Sequence, residues 1–360
     1  MAGGSCAAGC GSGADKNPDD YKRIVSLVRW ERGAGLRYVL QAATLPNPGL
    51  SASPGVATIT PSQTSVTSPG TQVVNIGVTT TRRAATVGIT IDGSPKGSAT
   101  ASANPLIWNY AWALGAVATP LATATEPAAG EILDGTYVVS ARALDTYGSA
   151  GATRAVTIAV NRRVPYPVGR FRGGRTGGTS GPIDFEWVLN KERDVIGYRV
   201  FRDVPDSAAD VEVCARVPRG TSCLLPEAAA ADGQYYAVAY DRDTTGAERA
   251  GTRSANFSVT STNQVPSPIT ALQASHVSGG HTKLIWTASA GDPDAAGGDS
   301  VDYYRIYRDG TAYGNRFDRT TTGDVLYFTD TESTGTQHDY WVAAVDENLG
   351  QSTLFGPVRK

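Results

Sequence analysis

Apolar and polar residues alternate one by one along most of this chain, in short runs punctuated by Gly, Pro and Asp. The longer period of an amphipathic helix does not stand out. In YRVFRD (198–203), Tyr198, Val200 and Arg202 fall on one side of an extended backbone and Arg199, Phe201 and Asp203 on the other. VVNIGVTTT (73–81), VGITIDGSP (87–95), DGTYVVSARALDTYGSAG (134–151) and AVTIAVNRR (155–163) read the same way, as strands joined by turns. The pattern predicts an all-β fold.

One phrase is written twice. FEWVLN (185–190), GYRVFRD (197–203) and QYYAVAYDRDTTG (234–246) return in the same order as KLIWTAS (283–289), YYRIYRDG (303–310) and DYWVAAVDENLG (339–350). The interval is about 100 residues, the size of one β-sandwich and far more than a solenoid unit. Alternation puts Phe185 and Trp187 on one face, and Trp286 opposite Ile285 and Thr287. In each copy the expected core is a Trp from an early strand packed under a Tyr from a late one. That selects Trp187, Tyr198 and Tyr236 in the first copy and Trp286, Tyr304 and Tyr340 in the second.

Both copies resemble fibronectin type III domains, which carry the Trp on the second strand, Y-R-[VI]-[FY]-R-D on the third and Y-x-V-x-[AY] on the sixth. The stretch D-G-T-Y-x-V-x-A-x-A-x-D-x-x-G, from Asp134, resembles bacterial immunoglobulin-like domains, where it marks the penultimate hairpin. The expected fold is a string of three Ig-like or fibronectin III-like antiparallel β-sandwiches preceded by a β-hairpin. Turn-rich stretches at 45–70, 164–182 and 260–268 set the expected boundaries. They give a Gly/Ala-rich tail (1–20), a hairpin (21–45), a Pro/Ser/Thr-rich linker (46–70), a bacterial Ig-like domain (71–163) and fibronectin III-like domains at 164–262 and 263–360.

In the hairpin, Ile24, Ser26, Val28 and Trp30 alternate with Arg23, Val25, Leu27 and Arg29, and Tyr38, Leu40 and Ala42 with Val39 and Gln41. A lone two-stranded hairpin is marginal in water. It therefore either docks on the Ig-like domain or meets a partner that precedes Met1. Its Y-K-R-I-V-x-x-V-x-W, turn, R-x-V-x-L pattern resembles the last strands of bacterial type IV pilin-like (pseudopilin) proteins. The resemblance covers the hairpin alone. It implies an anchoring and assembling apolar helix upstream, absent from this sequence, and makes the chain the C-terminal part of a longer surface protein.

Charge and composition narrow the chemistry. The net charge of −2 and the lack of a basic stripe exclude nucleic acid as a partner and give no field to recruit an anionic membrane. The longest uncharged stretch, 97–125, is interrupted by two prolines, so no membrane span is expected, and no signal peptide opens the chain. G-x-S-x-G, H-E-x-x-H, a P-loop and G-x-G-x-x-G are all missing. His276, His281 and His338 are too few to build a triad or a metal cluster on, so the expectation is that the chain is not an enzyme.

Cys214 and Cys223, in VCARVPRGTSCLL, suit a cross-strand disulfide in a hairpin and hence an oxidising compartment; two packed thiols are the alternative. Cys6 and Cys10 close a small loop in the tail or bind nothing. The insert GDPDAAGGDSVD (291–302) clusters Asp292, Asp294, Asp299 and Asp302, oxygen ligands of the kind Ca²⁺ takes; a solvated loop is the plainer reading. No other cofactor is expected. In NPLIWNYAWALG (104–115), Trp108, Tyr110 and Trp112 share one strand face, which exposed would stack sugar rings and buried is core; core is favoured.

These features describe a non-enzymatic extracellular scaffold or adhesion protein of the bacterial cell surface, with other surface or pilus-like proteins or polysaccharide as partners. The pilin-like resemblance implies a place in a pilus-like or type II secretion-like assembly. The competing reading is the accessory region, substrate-tethering or carbohydrate-binding, of a secreted hydrolase.

Overall fold

The computed structural model describes residues 21–32, 35–46, 53–119, 124–205, 209–293 and 301–360. Its sheets are antiparallel but for one short parallel pairing, and short 3-10 turns are the only helical elements among the described residues. The chain forms two compact units. One holds the described residues up to Thr64 with Val73–Ala113 and Tyr137–Ile158, the other Ser65–Gln72, Leu114–Thr136 and Ala159–Lys360.

In the first unit, β1 (Tyr21–Arg32) and β2 (Gly35–Pro46) form a two-stranded sheet on their own, with Tyr21 opposite Pro46 and Arg32 opposite Gly35. Val25, Leu27, Val28, Val39 and Leu40 are each more than half exposed. Leu27 faces Leu40 on one side of the ribbon, and Val28 faces Val39 on the other, so both faces are apolar and open. Docking on the neighbouring sandwich, one of the two covers expected from the sequence, does not shield these residues.

The stretch 46–70, expected as a linker, contains β3 (Val56–Pro61) and β4 (Ser65–Val66). Flanking prolines and alternating threonines disguise β3, yet Pro is compatible with an edge strand, which is what β3 is. The remaining strands of this region are β5 (Val73–Thr80), β6 (Thr86–Ile91), β7 (Ser94–Ser98), β8 (Thr100–Ala101), β9 (Ile107–Ala113), β10 (Gly135–Leu144) and β11 (Arg154–Val160). One sheet has the order β3-β5-β9-β8; in the other, β11, β10, β6 and β7 are neighbours in that order. Asp92 and Gly93 join β6 to β7 with φ of 50° and 78°, the positive values a two-residue hairpin turn needs. Val74, Ile76, Val78, Ile89 and Val139 are buried, and Trp112 meets Tyr137 edge-on with ring centroids 5.3 Å apart.

The second unit includes two sandwiches of one plan. The first is built from β12 (Gly169–Arg175), β13 (Ile183–Val188), β14 (Gly197–Asp203), β15 (Val211–Val217), β16 (Ser222–Leu225), β17 (Gly233–Arg242), β18 (Glu248–Ala250) and β19 (Phe257–Val259). Its sheets run β12-β13-β16 and β15-β14-β17-β18, with β19 also paired to β17. The second uses β20 (Leu272–His276), β21 (Thr282–Trp286), β22 (Val301–Arg308), β23 (Arg316–Arg319), β24 (Tyr327–Asp330), β25 (Asp339–Asp346) and β26 (Phe355–Arg359), ordered β20-β21-β24 and β23-β22-β25-β26. Three strands facing four, or five in the first sandwich where the short β18 and β19 both pair with β17, is a fibronectin III-like β-sandwich. Strand β12 falls in the stretch 164–182 that was expected as a boundary; its glycines hide an edge strand whose Phe171 reaches the core.

The two cores repeat each other. Phe185, Trp187, Tyr198, Val200 and Tyr235 are buried in one, and Leu284, Trp286, Tyr304, Ile306 and Tyr340 in the other. Each buried Val, Leu, Ile or Phe among them contributes roughly 1.5–3 kcal/mol by leaving water. The ring partner of each Trp is the Tyr of the third strand, not of a late one: Trp187 meets Tyr198 at 5.5 Å and Trp286 meets Tyr304 at 5.4 Å. Tyr236 needs a second correction. It pairs with Phe201 and stacks on that ring at 5.4 Å, on the sheet face opposite Tyr198, while Tyr235 takes the core position that corresponds to Tyr340. In the doublet Tyr235-Tyr236 a slip of one residue exchanges the two faces.

Candidate functional site

On β22, Tyr304 and Ile306 point into their own core, so Tyr303, Arg305 and Tyr307 point away from it. An outer sheet face is normally wet, yet these three side chains are 2–3 % exposed. Their cover is the outer face of β12-β13-β16 in the preceding sandwich. There Asp184 and Glu186 alternate with the core residues Phe185 and Trp187 and stand opposite Gly174 and Arg172 on β12.

The joint is a charged network. One Arg305 nitrogen, Nη2, donates to Glu186 Oε1 at 2.5 Å and lies 3.1 Å from Asp184 Oδ2; Nη1 donates to Gln351 Oε1 at 3.0 Å. From β23, Arg316 reaches Asp184 and Arg319 reaches Glu186, both at 2.6 Å. The Tyr303 hydroxyl donates to Glu186 at 2.9 Å, and Arg172 donates to Asp302 at 2.7 Å. Gly174 is required by close approach, since a Cβ there would sit 1.4 Å from the Asn348 carbonyl oxygen. The Gln351 amide donates to the Thr176 carbonyl at 3.0 Å, and Asn263 Nδ2 to Asp346 at 2.8 Å.

Burial and charge compete within this network. Burial pushes the Glu186 carboxyl up, but Arg305, Arg319, the Tyr303 hydroxyl and Arg172 together outweigh it and hold it below the usual carboxylate range. For Asp184, fully buried, burial outweighs Arg305 and Arg316 and leaves it above that range. Burial disfavours the Arg305 charge, and Tyr303, Asp184 and Glu186 more than restore it, so its pKa is raised. Beside the network opens a cavity of about 690 Å³ lined by Arg170, Arg172, Glu186, Tyr303, Asp318 and Arg319. This arrangement can fix the angle between two sandwiches. It presents no nucleophile held by a base, and no three His, Cys, Asp or Glu side chains among the described residues are set to hold a metal.

A second buried polar cluster lies at the entrance to the first of these sandwiches. The Arg162 guanidinium donates to four carbonyls, those of Thr71, Leu114, Gly115 and Ile132. Asp134 accepts the Arg162 and Arg163 amides at 2.6 and 2.9 Å, and Asp241 pairs with Arg249, which also donates to the Arg163 carbonyl. Asp194 Oδ2 is buried there without a hydrogen-bond partner. Burial first, then the charges of Asp134, Asp241 and Glu192, push this carboxyl up to about 7.

The residues singled out from the sequence are placed as follows. Cys214 and Cys223 form a disulfide, with Cα atoms 6.5 Å apart. It is not a bond within one hairpin: Cys214 lies on β15 and Cys223 on β16, strands of opposite sheets, so it ties the sandwich face to face. Trp108 and Trp112 are buried and Tyr110 is half-buried, so the exposed platform of sugar-stacking rings does not form. Of the four aspartates proposed for Ca²⁺, Asp294 and Asp299 lie outside the described residues, as do Cys6 and Cys10, and Asp302 is engaged by Arg172. His338 Nδ1 lies 2.6 Å from Asp309 at the surface. Asp184, Glu186, Arg305 and Arg316 were not singled out, although a strand with bulky residues at every position, YYRIY, is the sign that both of its faces are covered. No helix among the described residues is long and apolar enough to cross a membrane.

No family model matches the chain, and no curated protein matches it. Among solved structures it is similar to a crystal structure of chicken CNTN1 FN1-FN3 domains. The TM-score is 0.36 and the identity 12 %, over 85 % of this chain and 98 % of that one. The fold described above rests on strand order and core composition.

Proposed function

We propose that this chain is a non-enzymatic extracellular scaffold or adhesion module of a bacterial surface, in which the two fibronectin-like sandwiches act as one stiff arm. The observation that carries the reading is the joint: Arg305, nearly solvent-free, is gripped by Asp184 and Glu186 of the preceding sandwich. Breaking such a pair strands a buried charge, which disfavours bending at the joint. The inter-sheet disulfide fits an oxidising, extracellular setting. Attachment to a pilus-like or type II secretion-like assembly is supported by the hairpin, whose apolar residues are open on both faces and call for a cover. Other surface or pilus-like proteins or polysaccharide are the proposed partners. With Trp108 and Trp112 facing inward, the carbohydrate-binding form of the hydrolase-accessory reading loses its sugar-stacking platform, while the substrate-tethering form rests on the fibronectin-like sandwiches as before.

The test is limited proteolysis with a protease of broad specificity, read by mass spectrometry. The turn-rich segment 260–268 joins the sandwiches and is expected to resist cleavage while the joint holds. Prompt cutting there in the native protein would show a loose string of domains and refute the stiff arm.

A further inference from the structure

Three loops of the first unit line one cavity of about 820 Å³: 81–85 between β5 and β6, 102–106 between β8 and β9, and the turn that Asp145 opens after β10. That volume falls within the roughly 300–1,000 Å³ of small-ligand clefts. The loops are braced at their bases. The Thr80 amide donates to the Leu106 carbonyl at 2.9 Å, and the Ala85 amide to the Leu144 carbonyl at 2.8 Å. Within 102–106, Ser102 Oγ accepts the Asn104 amide at 3.2 Å and Asn104 Oδ1 accepts the Leu106 amide at 3.0 Å. A ligand therefore meets a rim whose shape is already set, which favours binding.

Two opposite charges line the cavity without joining. Arg83 is exposed and has no hydrogen-bond or ion-pair partner among the described residues. Asp145 accepts the Tyr147 and Ser149 amides at 2.9 and 2.8 Å, both through Oδ1. Its carboxylate is thus fixed, and Oδ2 has no hydrogen-bond partner among the described residues. The rest of the wall is mostly short and apolar, as at Ala84, Ala103 and Pro105. Trp108 also lines it but is 7 % exposed, too little to offer a ring face for stacking.

A free guanidinium takes a carboxylate by two parallel hydrogen bonds, while a fixed carboxylate oxygen accepts a hydroxyl and repels an anion. Short apolar walls suit the C–H faces of a saturated ring. A nucleotide fits poorly, since Asp145 repels its phosphates and Trp108 does not stack its base. We propose that this cavity binds an acidic sugar, a hexuronate unit of a polysaccharide, with the carboxylate on Arg83 and a hydroxyl on Asp145. The proposal gives a place and a charge to the polysaccharide among the partners named above. It rests on that part of the reading alone, and proteolysis within 260–268 tests the stiff arm separately.

Isothermal titration calorimetry of the full chain tests it with three hexuronate polymers, polygalacturonate, alginate and hyaluronan, and with poly-L-glutamate. At least one of the three sugars should bind, and more weakly as salt is raised. R83Q should raise its dissociation constant about tenfold or more, and R83K, which keeps the charge but not the fork, by less. D145N keeps an Oδ1 acceptor for the turn and should also weaken binding. R154Q, at an exposed position of β11 outside the cavity, should leave it unchanged. Failure of all three sugars to bind would overturn the proposal. So would equal losses in R83Q and R154Q, which would mean diffuse attraction to a polyanion, or undiminished binding of the methyl-esterified polymer, which would mean a neutral ligand. Tighter binding of poly-L-glutamate than of any sugar would assign the cavity to an acidic peptide instead.

Discussion

Replacing Arg305 with Met removes one guanidinium from a place where nothing else can substitute for it. The side chain is 4 % exposed, Asp184 is 0 % exposed and Glu186 12 %. Asp184 would keep Arg316 alone, and Glu186 would keep Arg319 and Arg172, both nearer the solvent. The cost is set less by the attraction that is lost than by the buried carboxylate left short of a partner. Breaking a buried pair from one side costs about 3–5 kcal/mol. Removing the charges together, as in Asp184→Asn, Glu186→Gln and Arg305→Met combined, leaves no such orphan and should cost far less. Arg305→Lys keeps the charge but loses the fork that reaches Glu186, Asp184 and Gln351 at once, and should fall between. The assay is urea unfolding followed by Trp fluorescence, with cleavage in 260–268 as the readout of the joint itself. If Arg305→Met costs less than about 1 kcal/mol, the value of an exposed pair, the network is hydrated in solution and the argument for a stiff arm fails.

Gly174→Ala puts a methyl group 1.4 Å from the Asn348 carbonyl oxygen, so it should wedge the two sandwiches apart, open 260–268 to protease and leave the disulfide-tied core of the first sandwich folded; unchanged protection would refute the close approach. Asp194 has a folded pKa raised to about 7 from an ordinary value near 3.8, so the stability of its surroundings should fall as pH rises from about 4 to 7 and then level off. Asp194→Asn should flatten that slope and stabilise the protein at pH 8 by on the order of 2–4 kcal/mol, checked by thermal melting at pH 5 and pH 8; parallel pH profiles for variant and wild type would contradict it. Reducing Cys214–Cys223, which spans a sequence separation of 9, should cost about 2–3 kcal/mol by releasing the unfolded chain. The double variant Cys214→Ala/Cys223→Ala should then ignore reductant, and equal urea midpoints for wild type with and without reductant would count against the bond.

The parts of this fold that show in the sequence are those where one residue's environment is decided by its near neighbours. Alternation along YRVFRD and YYRIYRDG is local, so Tyr198, Val200, Tyr304 and Ile306 are legible as core without knowing what else the chain does. The Cys214–Cys223 pair is legible for the same reason, but its geometry is not. An R-G-T-S turn looks alike whether the chain folds back on its own sheet or crosses to the facing one, and here it crosses. Tyr235 and Tyr236 show the limit of alternation itself, because two adjacent tyrosines satisfy either register. The joint is harder still: Glu186 and Arg305 are 119 residues apart, and each alone is what a solvated strand face carries. The repeated phrase makes the point most directly. Arg199 and Arg305 occupy one position of one motif, yet the first lies at the surface between Glu212 and Glu248 and the second is sealed between two sandwiches. What repeats is the inward half of the strand, which a single sandwich dictates; the outward half is free to differ because its partner is another sandwich. Function in such a chain is therefore written on the faces that alternation labels as solvent, and it is read by asking which of them are not wet.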